Sequence, residues 1–139
     1  MPGYSNYGRF LIGSVTVAAG SAAEILHRVF TAGEKPVAIT QAQYYGGDTG
    51  EGGTLFLIPP NAFISGMKPS DQAGSIAITN GGVMSGAKGT VEFPSNVLGT
   101  IDGRFPLLIM PAFSSIAVNL NASNAAAFSV RLGGFELDA

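Results

Sequence analysis

The 139-residue sequence contains no cysteine and no tryptophan, a single histidine, and charged residues at only 12% of its positions. An ordinary soluble domain carries roughly 25%. The absence of cysteine excludes disulfides, thiolate nucleophiles and thiolate metal sites together. Long hydrophobic runs are also missing: none approaches the ~18 residues of a membrane-spanning helix. Apolar residues nevertheless make up 46% of the chain, and mean hydropathy is +0.33. A domain this poor in charge covers much of its surface with Ser, Thr, Asn, Gly and apolar atoms, and contiguous apolar surface usually marks an interaction site. The composition predicts an assembling protein.

Net charge is −2. The seven cations, Arg9, Arg28, Lys35, Lys68, Lys88, Arg104 and Arg131, are scattered singly. Holding a nucleic-acid backbone needs clustered cations, so no nucleic-acid partner is expected, and no membrane partner either. The first eight residues hold no basic stretch followed by an apolar one, which is not a secretory leader; folding in a cytoplasm is the simplest expectation.

What the chain has is punctuation. From Arg9 onward, short β-branched or aromatic runs alternate with Gly, Pro, Asn and Ser, and twenty glycines weigh against long helices. The spacing predicts strands at 9–18, 23–30, 36–45, 53–59, 75–80, 89–93, 106–111, 114–121 and 126–137. Turn signals at roughly 8–12 residue intervals indicate an all-β, antiparallel β-sandwich or barrel. Residues 1–8, turn-formers with Tyr4 and Tyr7, read as an N-terminal arm to a single domain at 9–139. The glycine-rich stretch 81–89 reads as a long loop or a surface insertion, with Asn80-Gly81 as an alternative hairpin corner.

Ile116, Val118 and Leu120 alternate with Ala117 and Asn119; Phe128, Val130 and Leu132 do so with Ser129 and Arg131. Period-2 patterning of this kind, joined by the polar turn 121–124, predicts a half-buried antiparallel hairpin. The apolar set then changes parity to Phe135 and Leu137, which predicts a bulge at Gly133-Gly134. Two runs are apolar on both faces, Leu55-Phe56-Leu57-Ile58 and Leu107-Leu108-Ile109-Met110. Each must be covered twice, by a loop of its own chain or by a neighbour, and the low charge favours a neighbour for at least one.

The sequence offers little chemistry. His27 shares a face with Ile25 and Val29 and is expected to be structural; one imidazole cannot furnish the several ligands of a barrel-hosted metal centre. No nucleophile elbow is present. Asp48 and Glu51 lie in the loop 46–53, where carboxylate and carbonyl oxygens suit calcium, but turn composition favours a solvated connection. Asp71, Glu92, Asp102 and Glu136 are isolated, so no glycosidase pair is indicated. Tyr44-Tyr45 leaves a carbohydrate-binding surface open. Asn121-Ala122-Ser123 fits a glycosylation signal and equally a turn.

Pro106-Leu107-Leu108-Ile109-Met110-Pro111, then Ser115 to Asn121, then Ala127-Phe128-Ser129-Val130-Arg131-Leu132-Gly133-Gly134-Phe135-Glu136-Leu137 resembles the closing hairpin of small jelly-roll virion proteins of tailed bacteriophages. Val15-Thr16-Val17-Ala18-Ala19-Gly20-Ser21 is similar to their first hairpin. The resemblance implies a jelly-roll sandwich and a capsid cement or decoration protein in the virion: oligomeric, with a trimer favoured, clamping major capsid subunits, with no catalytic residue and no cofactor. The expected contacts are Tyr4 and Tyr7 towards the shell, and Leu55, Phe56, Leu57, Ile58, Leu107, Leu108, Ile109 and Met110 between like subunits. The alternative is a carbohydrate- or receptor-binding module of a phage tail or fibre.

Overall fold

Strand β1 (Tyr7–Val17) shows how the patterning becomes structure. Phe10, Ile12, Ser14 and Thr16 are exposed, while Leu11, Gly13, Val15 and Val17 turn inward, the two-residue period that a pleated strand imposes. The computed structural model describes residues 7–20, 25–46, 52–78, 82–83, 91–92, 108–120 and 127–137. Nine further strands follow: β2 (Leu26–Thr31), β3 (Val37–Gly46), β4 (Gly52–Ile58), β5 (Ile76–Ala77), β6 (Gly82–Val83), β7 (Val91–Glu92), β8 (Leu108–Met110), β9 (Ser115–Leu120) and β10 (Phe128–Leu137). There is no helix among the described residues. Each of the nine predicted strands has a counterpart. The tenth, β6, lies in the stretch read as a loop, the rest of which is outside the described residues, as is Asn80-Gly81. Because β1 begins at Tyr7, the last two residues assigned to the arm belong to the strand.

All pairings are antiparallel and make two sheets. One runs β1-β10-β3, with β7 and β8 both against the far edge of β3. The other runs β2-β9-β4, with β5 and β6 both against the far edge of β4. Counting each collinear pair as one interrupted strand gives eight strands, four to a sheet, ordered 1-8-3-6 and 2-7-4-5. This is a jelly roll.

That order corrects two expectations. β9 and β10 do not form a hairpin: β9 lies between β2 and β4, and β10 between β1 and β3. Likewise β1 and β2 fall in opposite sheets. Alternation reveals that a strand has one buried face, not which strand it pairs with. In a sandwich two consecutive strands can bury those faces against each other across the core.

The core draws on both sheets. Val17, Val37, Ile39, Ala42, Met110, Val130 and Leu132 from one meet Val29, Leu55, Ile116, Val118 and Leu120 from the other. Two irregularities make this packing possible. In β2 the register with β9 slips between Arg28 and Phe30, so that Val29 is buried and Phe30 also packs against the core. A Cβ on Gly13 of β1 would lie 2.7 Å from the Phe30 ring and 2.9 Å from Val29 O; only glycine lets the sheet edges approach this closely. The second irregularity is the bulge expected at Gly133-Gly134. Those glycines stay in register with Ile12 and Leu11 of β1. On the other side they pair with Gln41 and Ile39, so the extra residue is Thr40 on β3. The bulge therefore belongs to β3, and Thr40 Oγ1 donates to Gly133 O at 3.5 Å. Phe135 and Leu137 keep the parity of Gly133 and Arg131, on the outer face.

Candidate docking surfaces

The two runs that are apolar on both faces meet different fates. On β4, Leu55 is fully buried in the core, opposite Val118, and Leu57 packs against the same cluster. Phe56 and Ile58 face the other way, yet Ile58 is also fully buried. It joins Leu26 and Ala117 in a second cluster, onto which Phe56, Ala62 and Phe63 pack. The cover is the chain itself, in the segment 59–75 that follows β4. Gln72, 3% exposed, braces it: Ile64 N–H donates to Gln72 Oε1 at 3.0 Å, and Gln72 Nε2 donates to Ala62 O at 2.7 Å. Met67 O accepts from Leu26 N–H at 2.9 Å, and the Arg28 guanidinium sits 5.7 Å from the Phe63 ring centroid. For β4 the own-chain loop, not a neighbour, covers the second face.

On β8 the second face is partly open at Ile109. Met110 is buried in the core opposite Val37, whereas Ile109 is 44% exposed. Leu108 pairs with Ile39; its side chain, Leu107 and Tyr4 lie outside the described residues. The ladders align Ile109 with Ala38, Ala38 with Phe135, and Phe135 with Phe10. Directly paired residues share a face, so an apolar row crosses the outer face of this sheet from β8 to β1, buried at Ala38, half-buried at Phe135 and exposed at its ends. Its far end is a tilted ring pair, Phe10–Phe135, with centroids 4.9 Å apart, a favourable aromatic geometry. Ile12 beside it is 62% exposed. Phe10 and Ile12 were missed as surface residues. Phe10-Leu11-Ile12 is apolar at both parities, the same signature that marked 55–58 and 107–110, only shorter.

Another aromatic is presented elsewhere. Phe113 is 43% exposed and has φ +64°, a conformation that costs a bulky residue ~1–3 kcal/mol. Its backbone is held on both sides: Phe113 N–H donates to Gly33 O, and Asn61 N–H donates to Phe113 O, each at 3.0 Å.

Among the described residues nothing comparable assembles chemistry. His27 stands opposite Val118 on the inner face of β2, and its Nε2 is buried without a hydrogen-bond partner. It borders an open cleft of about 530 Å³ shared with Val15, Ile25, Arg28, Phe63 and Ser65. Burial lowers its pKa below 6.5, so the unfolded chain takes up a proton more readily. Stability is therefore full above pH 6.5 and falls as pH drops below it. His27→Leu, which removes the orphaned nitrogen, is expected to raise stability by about 1 kcal/mol at pH 7. It should also flatten the loss between pH 6.5 and 5. Denaturant melts of both proteins at the two pH values check this; an unchanged slope would count against it. Among the described residues no three His, Cys, Asp or Glu side chains gather as a metal site. Asp71 is exposed, and Glu136 takes Arg9 as partner at 3.3 Å. Asp48, Glu51, Asp102 and Asn121–Ser123 lie outside the described residues. Tyr44 and Tyr45 pair with Val130 and Ser129, and only their backbone is described.

Neither a protein-family model nor a curated protein sequence matches the chain. Solved structures do. A chain from the capsid of Ralstonia phage GP4 is similar over 96% of this chain and 86% of its own, with TM-score 0.55 and 16% identity. One from the cyanophage Pam1 capsid asymmetric unit covers 99% and 91%, with TM-score 0.46 and 14% identity. At 16% identity the likeness to the GP4 chain is one of fold, and it extends to nearly the whole chain.

Proposed function

We propose that this protein is a structural component of a phage virion, a capsid cement or decoration protein that holds neighbouring major capsid subunits together without catalysing a reaction. The observation that carries the reading is the apolar row on one sheet face, exposed at its two ends by Ile109 and by Phe10 with Ile12, in a chain where segment 59–75 covers the opposite sheet. The fold likeness to a phage capsid chain supports the kind of assembly. Cement stabilises a shell by mass action: a protein that binds the assembled state better than free subunits shifts the equilibrium towards assembly. Repeated weak contacts suffice, and aromatic anchors dominate such interfaces. Like copies are partners too, with a trimer the favoured number. Of the residues expected between subunits, Leu55, Ile58 and Met110 serve the fold's own interior, and Phe56 and Leu57 pack against it. The proposed contact is therefore Ile109 with Leu107 and Leu108, joined by Phe10, Ile12 and Phe135. Tyr4 and Tyr7 keep the proposed role of reaching towards the shell.

Heads of the parent virus stripped of this protein provide the test. The full chain is expected to cosediment with them and raise their thermal stability. Ile109→Lys, or removal of residues 1–6, which leaves β1 intact, should reduce binding at least about tenfold. Undiminished binding by both variants would overturn the assigned surface. A glycan-array signal abolished by Tyr44→Ala or Tyr45→Ala would replace the reading with a receptor-binding one.

A further inference from the structure

We propose that β1 pairs edge to edge with β1 of a second copy of this chain, antiparallel about a two-fold axis at Gly13.

Among the described residues β1 ends its sheet, with β10 as its one strand neighbour. A strand directs its N–H and C=O groups alternately to its two sides, so about half of those along 10–16 point to the outer edge, where no described strand pairs with them. The register with β10 is unbroken from Phe10 to Val17, and the irregularity is confined to the residues between Tyr7 and Phe10. Natural sheets blunt an exposed edge with lysine, proline, bulges or very short strands. The other edges use these devices: β5 with β6 and β7 with β8 are two- or three-residue pieces, and β2 carries its bulge at Val29. β1 uses none of them along 10–16. It has no proline or lysine. Its one charge, Arg9, lies within the irregular part and is engaged by Glu136 at 3.3 Å. Along the outer face the run exposes Phe10 and Ile12, 41% and 62% accessible.

The edge requires an extended strand, and the sequence of the run favours its own copy. Pairing 10–16 with itself about Gly13 sets Phe10 opposite the copy's Thr16, Ile12 opposite its Ser14, and Leu11 opposite its Val15. Each pair keeps inward residues with inward and outward with outward, as a ladder requires. Aromatic and β-branched side chains stand beside small hydroxyls, and glycine meets glycine on the axis. Arg9 falls opposite the copy's Val17, so no like charges meet. The contact is self-complementary and closes at two subunits, and it would join the apolar rows of both copies into one continuous face. It does not depend on the cement reading and adds a two-fold contact to whatever ring forms on a shell.

The chain has no cysteine, which makes the test direct. Single variants Ile12→Cys and Ser14→Cys, mixed and oxidised, are expected to form the mixed disulfide, because opposed residues on paired strands come within reach of one. Ile76→Cys, 61% exposed on β5, should not crosslink to either. Sedimentation of the unmodified chain at rising concentration should show a two-fold association. Ile12→Lys should weaken it at least about tenfold and Ile76→Lys should leave it unchanged. A chain that stays monomeric at millimolar concentration, an association indifferent to Ile12→Lys, or no mixed disulfide would each overturn the pairing. Since position 12 is exposed, melting of Ile12→Lys alongside Ile76→Lys separates lost association from lost fold.

Discussion

Gly134→Ala is expected to destabilise the protein by about 3 kcal/mol, roughly a 10 °C fall in melting temperature for a domain of this size. The added Cβ would lie 2.5 Å from Ala38 O, 3.1 Å from Ala38 C and 3.1 Å from Ile39 Cα. All three are backbone atoms of β3, so no side chain can swing aside. Relief requires moving β3 away from β10 next to the Thr40 bulge, which would disturb Ile39 and Ala42 in the core. Gly33→Ala is the matched control. Nothing lies within 4 Å of the Cβ there, and a change of under about 0.5 kcal/mol is expected. Thermal melts of the two variants side by side decide the matter. If Gly134→Ala melts with the parent, the close approach of β10 and β3 is wrong.

Gln72→Leu should act locally. The new side chain has similar volume and stays apolar, but it strands the Ile64 N–H and the Ala62 carbonyl that Gln72 now satisfies. A buried polar group left unpaired costs ~1–3 kcal/mol. Ile64 is exposed and Ala62 half-buried, so water meets part of the need and a loss of about 1–2 kcal/mol is expected. Because segment 59–75 lies over the sheet as an outer layer, its release need not unfold the sandwich. Proteolysis should therefore cut within 59–75 under conditions where the two sheets stay intact, and the Leu26–Ile58–Ala117 cluster should become accessible to an apolar dye. Cleavage no faster than in the parent would show that the apolar packing of Phe56 and Phe63 holds the segment without its polar brace.

The strands themselves were legible, because alternation and glycine punctuation are local signals. β1 to β5 and β7 to β10 all arise where short β-branched or aromatic runs stand between turn residues. The partners of those strands were not legible. β9 and β10 carry matched alternation and a short turn, yet the chain crosses from one sheet to the other there, a choice made by the whole sandwich. The bulge shows the same limit. Gly133-Gly134 marks where two backbones draw together, while the extra residue is Thr40, some ninety positions away in sequence. The two-sided runs posed one question with two answers, since a both-face apolar pattern reports cover but not its source. Gln72 and Phe63 supply it for β4. Nothing among the described residues does so for Ile109. The docking surface was half visible: Ile109 was singled out, whereas Phe10 and Phe135 become its companions only through the ladder that joins β8, β3, β10 and β1.

β7 and β8 both lie along one side of β3, with Gln43 meeting Glu92 and Ile39 meeting Leu108. Two anchor points four steps apart on β3 thus lie sixteen apart along the partner chain, and the ladder is secured at each. Extra length added between them changes neither register. A foreign epitope spliced between Glu92 and Leu108 would leave both anchors in place, making the span between them a natural place for peptide display.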